Sequence, residues 1–265
     1  MNTLLSRQSD IQDLFDEYGC RNALETANVN RNLRRRYICA QPEINYTKIH
    51  ARISTHLGDA ESISALEFEL RAESILNQLR NNPTTRRITN GVHVPFFLPK
   101  AIHADIGKAL DEYYLPAVES SFQSMFPKFT FTNYHKTGLS GKLSVAEGSR
   151  HDQVVHTMSE RCVVGYYFPC LLEYSIPEAI KQMQQTPDAC LLAGGFDTCA
   201  AFVGSPDLLL RMDAYPPLLW LAGLAGKNVA IGYHFEAYGY NLTFNRRPHF
   251  GQAAEYWTSS LVVLG

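Results

Sequence analysis

The sequence predicts an α+β fold in which a helical N-terminal part, residues 1 to about 125, packs on a mostly antiparallel, aromatic-rich sheet. Apolar residues recur at helical intervals in the first half of the chain, whereas they alternate with period two towards its C-terminus. At least two adjacent predicted strand pairs are joined by turns that are too short for parallel pairing. These observations favour the antiparallel sheet over the alternative, an α/β sheet.

The composition of the 265-residue chain is typical of a globular protein, with 45% hydrophobic and 19% charged residues. A chain of this length is predicted to form a single domain over 1–265, with a sheet-rich part from about residue 126. Most of the 14 tyrosines and 14 phenylalanines fall in that part. The aromatic core is therefore expected around the strands.

Three helices are predicted in the first eighty residues. One is capped by Ser9 and ends at Gly19, and a second ends before Gly58. The strongest apolar periodicity runs over 59–80 and includes Leu66 and Leu70. We expect both leucines to face the core.

Prolines divide the segment that follows. Residues 92–98 form a short apolar run that contains Pro95, which predicts an edge strand or an extended linker. Pro99 opens a helical segment, and Pro116 is expected to kink or restart it.

The apolar period changes near residue 129. Phenylalanine alternates with threonine over 129–132, and a glycine turn over 138–141 precedes a second apolar stretch, so a hairpin is predicted. The remaining elements are predicted in this order: a helix from Ser149 to about Glu160, a buried strand over 162–168, a helix capped by Ser175, a strand over 189–193, a helix over 205–212, a central hairpin over 229–244, a helix over 252–257 and a strand over 261–264.

Charge limits the classes of partner. The formal net charge of −2 gives no overall attraction to nucleic acid or to an anionic membrane, so neither partner is expected. The most basic window, Arg31–Arg36, is interpreted as a solvated face, with a phosphate-bearing ligand as the alternative. A small-molecule ligand is the partner class that suits the polar centres described below.

The cysteines and the N-terminus indicate a soluble, cytoplasmic protein. The six cysteines lack Cys-x-x-Cys spacing and any regular disulfide pattern, so we expect reduced thiols and no metal site. The sequence shows neither an export signal nor a long apolar span. No glycine segment matches a phosphate loop or a dinucleotide fingerprint, so the sequence identifies no cofactor.

The first candidate site lies at the start of the predicted helix after Ser149. Asp152 and His156 are four residues apart, so they share a helix face where the carboxylate can orient the imidazole. Arg150 and His151 precede them at the helix start, where anionic ligands bind favourably. The alternative is an exposed helix with a weak ion pair.

The second candidate pair is His234 and Glu236. Two residues apart on a strand, they share a face that is either a pocket floor or the solvent side of the sheet. If this face met the helix over 151–156, a His/Asp/Glu cluster of metal-binding or acid–base type would form.

Cys170 is the candidate nucleophile because it follows a predicted strand, and strand ends present side chains at a rigid rim. His151 or His156 would have to lower the pKa of its thiol. The alternative is a small buried hydrophobic residue.

One stretch resembles a known family. Cys170, a helix and then Asp188-Ala-Cys-Leu-Leu-Ala-Gly-Gly195 are similar to the nucleophile-to-glycine stretch of condensing enzymes of the ketoacyl synthase type. The resemblance covers about 26 residues. The chain after Gly195 is short for the second half of that fold, with its paired catalytic histidines, so the activity is not transferred.

Two functional hypotheses follow. One is a small-molecule enzyme, a hydrolase or transferase with a His/Asp polar centre and Cys170 as an additional member. The other is a non-catalytic protein that recognises a partner through its basic or aromatic surface. The hypotheses differ in whether these six residues converge in one concave pocket: His151, Asp152, His156, Cys170, His234 and Glu236.

Overall fold

The structure is a computed structural model and describes residues 13–23, 27–29, 37–58, 63–135 and 137–265. Its α-helices are α1 (Tyr46–Leu57), α2 (Ala65–Asn81), α3 (Ile106–Ala109), α4 (Leu115–Met125), α5 (Asp152–Glu160), α6 (Ile176–Gln182) and α7 (Gly195–Gly204). Its strands are β1 (Val94–Leu98), β2 (Phe131–Asn133), β3 (Leu143–Val145), β4 (Val163–Leu172), β5 (Cys190–Leu192), β6 (Leu218–Trp220), β7 (Leu224–Gly226), β8 (Ile231–Tyr238), β9 (Asn241–Pro248) and β10 (Trp257–Leu264).

An eight-stranded sheet organises the fold. Its path is β1-β4-β10-β6-β8-β9-β2, and β5 pairs with β10 beside this path. Only β6 with β10 and β2 with β9 are parallel among these pairs. The other two strands, β3 and β7, form a separate antiparallel ladder. The α+β prediction is confirmed, because the helices accompany a mostly antiparallel sheet.

Strand β10 joins the two halves of this sheet. It pairs with β4 along one edge, while β6 and β5 share its other edge. The sequence predicted only residues 261–264 as strand, because Thr258, Ser259 and Ser260 are polar. All three are buried, and the Ser260 hydroxyl donates a 2.7 Å hydrogen bond to the hydroxyl of Tyr167 on β4.

Helix α7 is buried along its whole length and packs on α1, α4 and β1. Its sequence is apolar on all sides, so it lacks the amphipathic period by which a surface helix is recognised, and the sequence did not predict it. A Cβ on Gly204 would stand 2.9 Å from the Ile49 side chain of α1. The glycine therefore lets the two helices approach closely.

The core face of α2 differs from the prediction. Leu66 is 65% exposed and Leu70 is 62% exposed, whereas Phe68, Ile75 and Leu76 are buried. Two faces of this helix carry apolar residues at helical spacing, so the period alone does not choose between them. Phe68 decides the choice, because its ring packs edge-on against Phe97 of β1 with centroids 5.5 Å apart.

The predicted hairpin over 129–145 is wrong. Strand β2 pairs in parallel with β9, and β3 pairs with β7. The glycine turn instead binds the start of α3: the Ser140 hydroxyl and the Gly141 amide donate hydrogen bonds of 2.8 and 2.7 Å to Asp105, the cap of that helix. The Leu139 amide donates to Asp111. Because these hydrogen bonds hold the turn at the start of α3, β2 and β3 do not pair with each other.

Several predicted helices also change. Residues 205–212 form turns, and the predicted helix over 252–257 is absent, because 252–256 are irregular and β10 begins at Trp257. Residues 13–19 form no helix, and the part of that prediction before residue 13 lies outside the described residues, as does Arg31–Arg36. Helix α5 is capped by His151, whose amide donates a 3.2 Å hydrogen bond to the Ser149 hydroxyl.

Other elements agree with the sequence. Strand β1 is a terminal strand of the sheet and contains Pro95, as an edge strand should. Pro116 lies in the first turn of α4, which restarts after a π-helical segment over Leu110–Tyr114. The 229–244 hairpin is present as β8 and β9. None of the helices in the described residues is long and apolar enough to cross a membrane.

We expect Leu76→Ala to lower the free energy of unfolding by about 2–5 kcal/mol, because it leaves a cavity beneath α2. Leu70→Ala on the exposed face of the same helix is the matched control and should cost less than about 0.5 kcal/mol. Denaturant unfolding measures both. A larger loss for Leu70→Ala than for Leu76→Ala would contradict the observed helix face.

Candidate functional site

A cleft of about 580 Å³ lies between the loop 209–216 and the turn of the β8–β9 hairpin. We call it the tyrosine cleft because Tyr215, Tyr238 and Tyr240 line it. Tyr215 is 78% exposed and Tyr238 is 83% exposed. Aromatic side chains of this size contribute much of their free energy when buried, so exposed rings around one opening are typical of a binding surface.

The hairpin turn places Tyr240 in a left-handed backbone conformation. The turn residues Gly239 and Tyr240 have φ values of 55° and 69°. Such a two-residue turn favours glycine or asparagine, and a left-handed residue with a side chain costs about 1–2 kcal/mol. The Tyr240 ring stacks on Phe129 with centroids 5.3 Å apart, and this contact offsets part of the cost.

One ion pair supplies the charges of the tyrosine cleft. Arg211 Nε and Nη2 donate to the two carboxylate oxygens of Asp213 at 3.0 and 2.7 Å. Arg211 Nη1 also donates to the Ile38 carbonyl at 3.2 Å. The guanidinium group holds the pKa of Asp213 below its ordinary value, so the carboxylate is ionised at neutral pH.

The predicted pair His234 and Glu236 belongs to a polar cluster on one face of β8. Their side chains approach to 3.6 Å, between Nε2 of His234 and Oε1 of Glu236. Arg247 of β9 lies 3.3 Å from the other Glu236 oxygen and donates a 2.8 Å hydrogen bond to the Tyr256 hydroxyl. The structure therefore brings this pair together and adds Arg247 and Tyr256 to it.

Within this cluster His234 is inaccessible and Glu236 is not. The His234 side chain is fully buried, with its ring edge-on to Trp220 at 5.2 Å, so the solvent-side interpretation does not hold for it. Burial lowers the pKa of His234, and the nearby imidazole lowers the pKa of Glu236. At neutral pH the cluster thus holds a neutral imidazole and an ionised carboxylate.

A row of tyrosine rings connects the β8 cluster with the tyrosine cleft. The Tyr37 ring packs against Tyr256 of the cluster at 6.0 Å and against Tyr215 of the cleft at 6.4 Å. These centroid separations are within the range of aromatic contacts. The two sites are therefore neighbours on one side of the molecule.

His151 faces the core. Its Nδ1 atom lies 3.9 Å from a carboxylate oxygen of Asp197, and both side chains are completely buried. Asp197 accepts hydrogen bonds from the Gly194 amide at 3.0 and 3.1 Å, in the first turn of α7. Burial raises the pKa of Asp197, and the nearby His151 opposes the rise. A substrate cannot reach this pair without movement of the core.

Asp152 and His156 are exposed on α5. His156 pairs with Glu160 at 3.5 Å rather than with Asp152. Asp152 and His156 line a shallow, open groove together with His103. Arg150 is used structurally, because its guanidinium donates to the carbonyls of residues 186 and 187, both at 3.0 Å.

Cys170 lies within β4 rather than after its end, since the strand continues to Leu172. The residue is buried and lines a pocket of about 260 Å³ together with Cys20 and Cys39. Burial raises the pKa of the Cys170 thiol well above its ordinary value, and the nearby Arg21 only partly opposes this. A protonated thiol is a poor nucleophile at neutral pH.

The six residues that were to form one centre are thus distributed over separate places. The α5 groove holds Asp152 and His156, the core holds His151, the pocket at β4 holds Cys170, and the face of β8 holds the pair His234 and Glu236. Asp197 was not predicted as a site residue; it is the third residue of α7, and its carboxylate accepts from the amide of the N-cap residue Gly194. The tyrosine cleft was not predicted either, and the tyrosines flanking Gly239 were the available signal.

The described residues contain no group of three or more histidine, cysteine, aspartate or glutamate side chains arranged to hold a metal ion. No protein-family model, no curated protein and no solved structure matches the chain. The function is therefore argued from the geometry of the two neighbouring sites alone.

Acid should destabilise the protein through His234. The folded pKa lies below the ordinary value of 6.5, so the unfolded chain binds a proton that the folded protein does not. This contribution to stability is complete above about pH 6.5 and is lost as the pH falls. His234→Gln should flatten the dependence of the free energy of unfolding on pH between about pH 5 and 6.5.

Denaturant unfolding across this pH range gives the slope. Glu236→Gln is the comparison: Glu236 itself titrates below the ordinary carboxyl value of 4.5, and because it raises the pKa of His234, its removal should steepen the slope between about pH 5 and 6.5 rather than flatten it. Identical slopes for wild type and His234→Gln would show that His234 binds its proton equally in both states.

The thiols should differ in reactivity. Cys20 is half-buried, whereas the other five cysteines are buried. We expect a thiol reagent to modify Cys20 fast in the native protein and all six after denaturation without reductant. Cys20→Ser should abolish the fast phase. If a fast phase remains in Cys20→Ser, one of the five buried cysteines is accessible to the reagent. If fewer than six thiols react after denaturation, the protein contains disulfides.

Proposed function

We propose that the protein binds a small organic molecule in the tyrosine cleft. One observation carries this proposal: two tyrosines that are more than three-quarters exposed, Tyr215 and Tyr238, flank an open cleft in which the charged groups of the described residues form a single ion pair. Ligand sites commonly have volumes of about 300–1,000 Å³, aromatic walls and a few fixed polar groups. The tyrosine cleft, at about 580 Å³, fits this description.

The walls of the cleft are held by the sheet. Tyr238 ends β8, and the β8–β9 ladder is in continuous register from Ile231 opposite Pro248 to Tyr238 opposite Asn241. On the other wall Arg211 is fixed by the Ile38 carbonyl. Because the Tyr238 ring extends from the end of a strand, a bound ligand would meet one wall that is already in place.

The backbone of Tyr240 supports the same conclusion. A left-handed residue with a large side chain persists where the surrounding structure requires it, and such residues are common at ligand sites. Asparagine or glycine would fit this turn without the cost, but neither would supply a ring beside the cleft.

A hydrolase or transferase activity remains the second candidate, at the β8 cluster next to the cleft. Glu236 is the member that supports it, because its ionised carboxylate is 27% exposed and lies beside a neutral imidazole. A general base must lie within reach of the proton that it removes. Glu236 is open to a ligand that binds beside the cluster, and the buried His234 would act on it as a positioning residue.

The proposal predicts that ligands found in a thermal-shift screen of metabolites depend on the cleft tyrosines. Tyr238→Leu removes the ring and its hydroxyl, and we expect it to weaken binding by about 5-fold or more, equivalent to about 1 kcal/mol. Calorimetric titration of the wild type and the variant measures the change.

Tyr134→Leu is the matched control, because Tyr134 is 59% exposed and does not line the cleft. It should leave the affinity unchanged. If every ligand binds wild type, Tyr238→Leu and Tyr134→Leu equally well, the binding site lies elsewhere. Turnover of a bound ligand that is lost in Glu236→Gln would support the second candidate.

A further inference from the structure

We infer that the ligand of the tyrosine cleft carries an organic cation of the alkylammonium class. This inference rests on the proposed function and specifies the chemistry of its ligand. It follows from which charges are accessible in the cleft, from the protonation state of Asp213 and from the electrostatic character of the walls.

The accessible charge is negative. Among the described residues that line the cleft, Arg211 and Asp213 are the only charged ones. The Asp213 side chain is 75% exposed, whereas that of Arg211 is only 15% exposed. The Arg211 donors already bind Asp213 and the Ile38 carbonyl. A ligand that enters the cleft therefore meets the carboxylate first.

The carboxylate keeps the capacity to bind a second cation. A carboxylate offers about four lone-pair positions, and the pair with Arg211 uses one on each oxygen. The same pair holds the pKa of Asp213 below its ordinary value, so the charge is present throughout the neutral range. The cleft thus contains a permanent anion with free acceptor positions.

The walls favour the same sign of charge. The face of an aromatic ring carries negative electrostatic potential, which attracts ammonium and guanidinium groups. Tyr215, Tyr238 and Tyr240 supply three rings at the opening, of which Tyr240 has one face stacked on Phe129. An anionic ligand would have to displace Asp213 from a bidentate pair and would lie beside these electron-rich rings. Both effects disfavour an anion.

The test uses three small molecules of the same shape and different charge: choline, its neutral carbon isostere 3,3-dimethylbutanol, and the anion 3,3-dimethylbutanoate. Calorimetric or NMR titration of the full chain at constant ionic strength gives the three affinities. We expect choline to bind on the order of 3- to 30-fold more tightly than the alcohol, and the anion to bind most weakly.

Variants assign the preference to the cleft. Asp213→Asn keeps the side-chain shape and removes the charge, so it should reduce the preference for choline over the alcohol several-fold. Tyr238→Phe retains the ring face and should bind choline as the wild type does, whereas Tyr238→Leu should bind it more weakly. Thermal unfolding of each variant verifies that the fold is intact.

The inference is overturned if choline binds no more tightly than the alcohol, or if neither binds. It is also overturned if Asp213→Asn leaves the preference for choline unchanged. The proposed function is judged separately. If a neutral or anionic ligand from the metabolite screen loses affinity in Tyr238→Leu, the cleft is a binding site. The inference that its ligand is a cation would then be wrong.

Discussion

The complete burial of α7 is the constraint on which the rest of the structure depends. A helix in the core has no water to bind the free amides of its first turn or the free carbonyls of its last turn, so other protein groups must do so. Asp197 binds the Gly194 amide at the start. At the end, Ser121 of α4 donates to the Val203 carbonyl and Arg52 of α1 donates to the Gly204 carbonyl. These contacts fix α1 and α4 against the sheet.

The same constraint explains why polar residues that resemble a catalytic centre lie in the core. Asp197 is required at the start of α7, and His151 is the group that faces the resulting buried carboxylate. Its ring packs flat on Gly194, where an added Cβ would stand 2.2 Å from Nε2. A histidine and an aspartate in proximity thus satisfy a structural need here. In the cleft, by contrast, the charged residues reach solvent.

The parts of the fold that could be predicted are those in which local pattern and tertiary contact agree. The β8–β9 hairpin alternates clearly, and α1 and α6 carry caps at Asn45 and Ser175 that the chain uses. Prediction failed where the apolar residues of a helix marked two possible buried faces, or where they showed no helical periodicity. Helix α2 has two apolar faces, and only the contact of Phe68 with β1 selects one. Helix α7 has no period at all.

The candidate site was less predictable for a related reason. Asp152 and His156 are correctly spaced for a helical pair, but spacing does not reveal whether the helix face meets another element, and α5 leaves both exposed. His234 and Glu236 were predicted as a pair and are one, whereas Arg247 and Tyr256 join them through the register of β9 and the path of the following loop. The tyrosine cleft depends on two segments more than twenty residues apart, and no local pattern relates them.

The strain at Tyr240 links the cleft to the sheet. The continuous β8–β9 register leaves two residues, Gly239 and Tyr240, for the connection, and the twist of the strands requires both to be left-handed. The ladder therefore determines the backbone of Tyr240, and the stacked Phe129 ring determines where its side chain lies. A shift of one residue in the register would also move Tyr238 to the opposite face of the sheet. The geometry of the cleft is thus maintained by the same hydrogen bonds that hold β8 and β9 together.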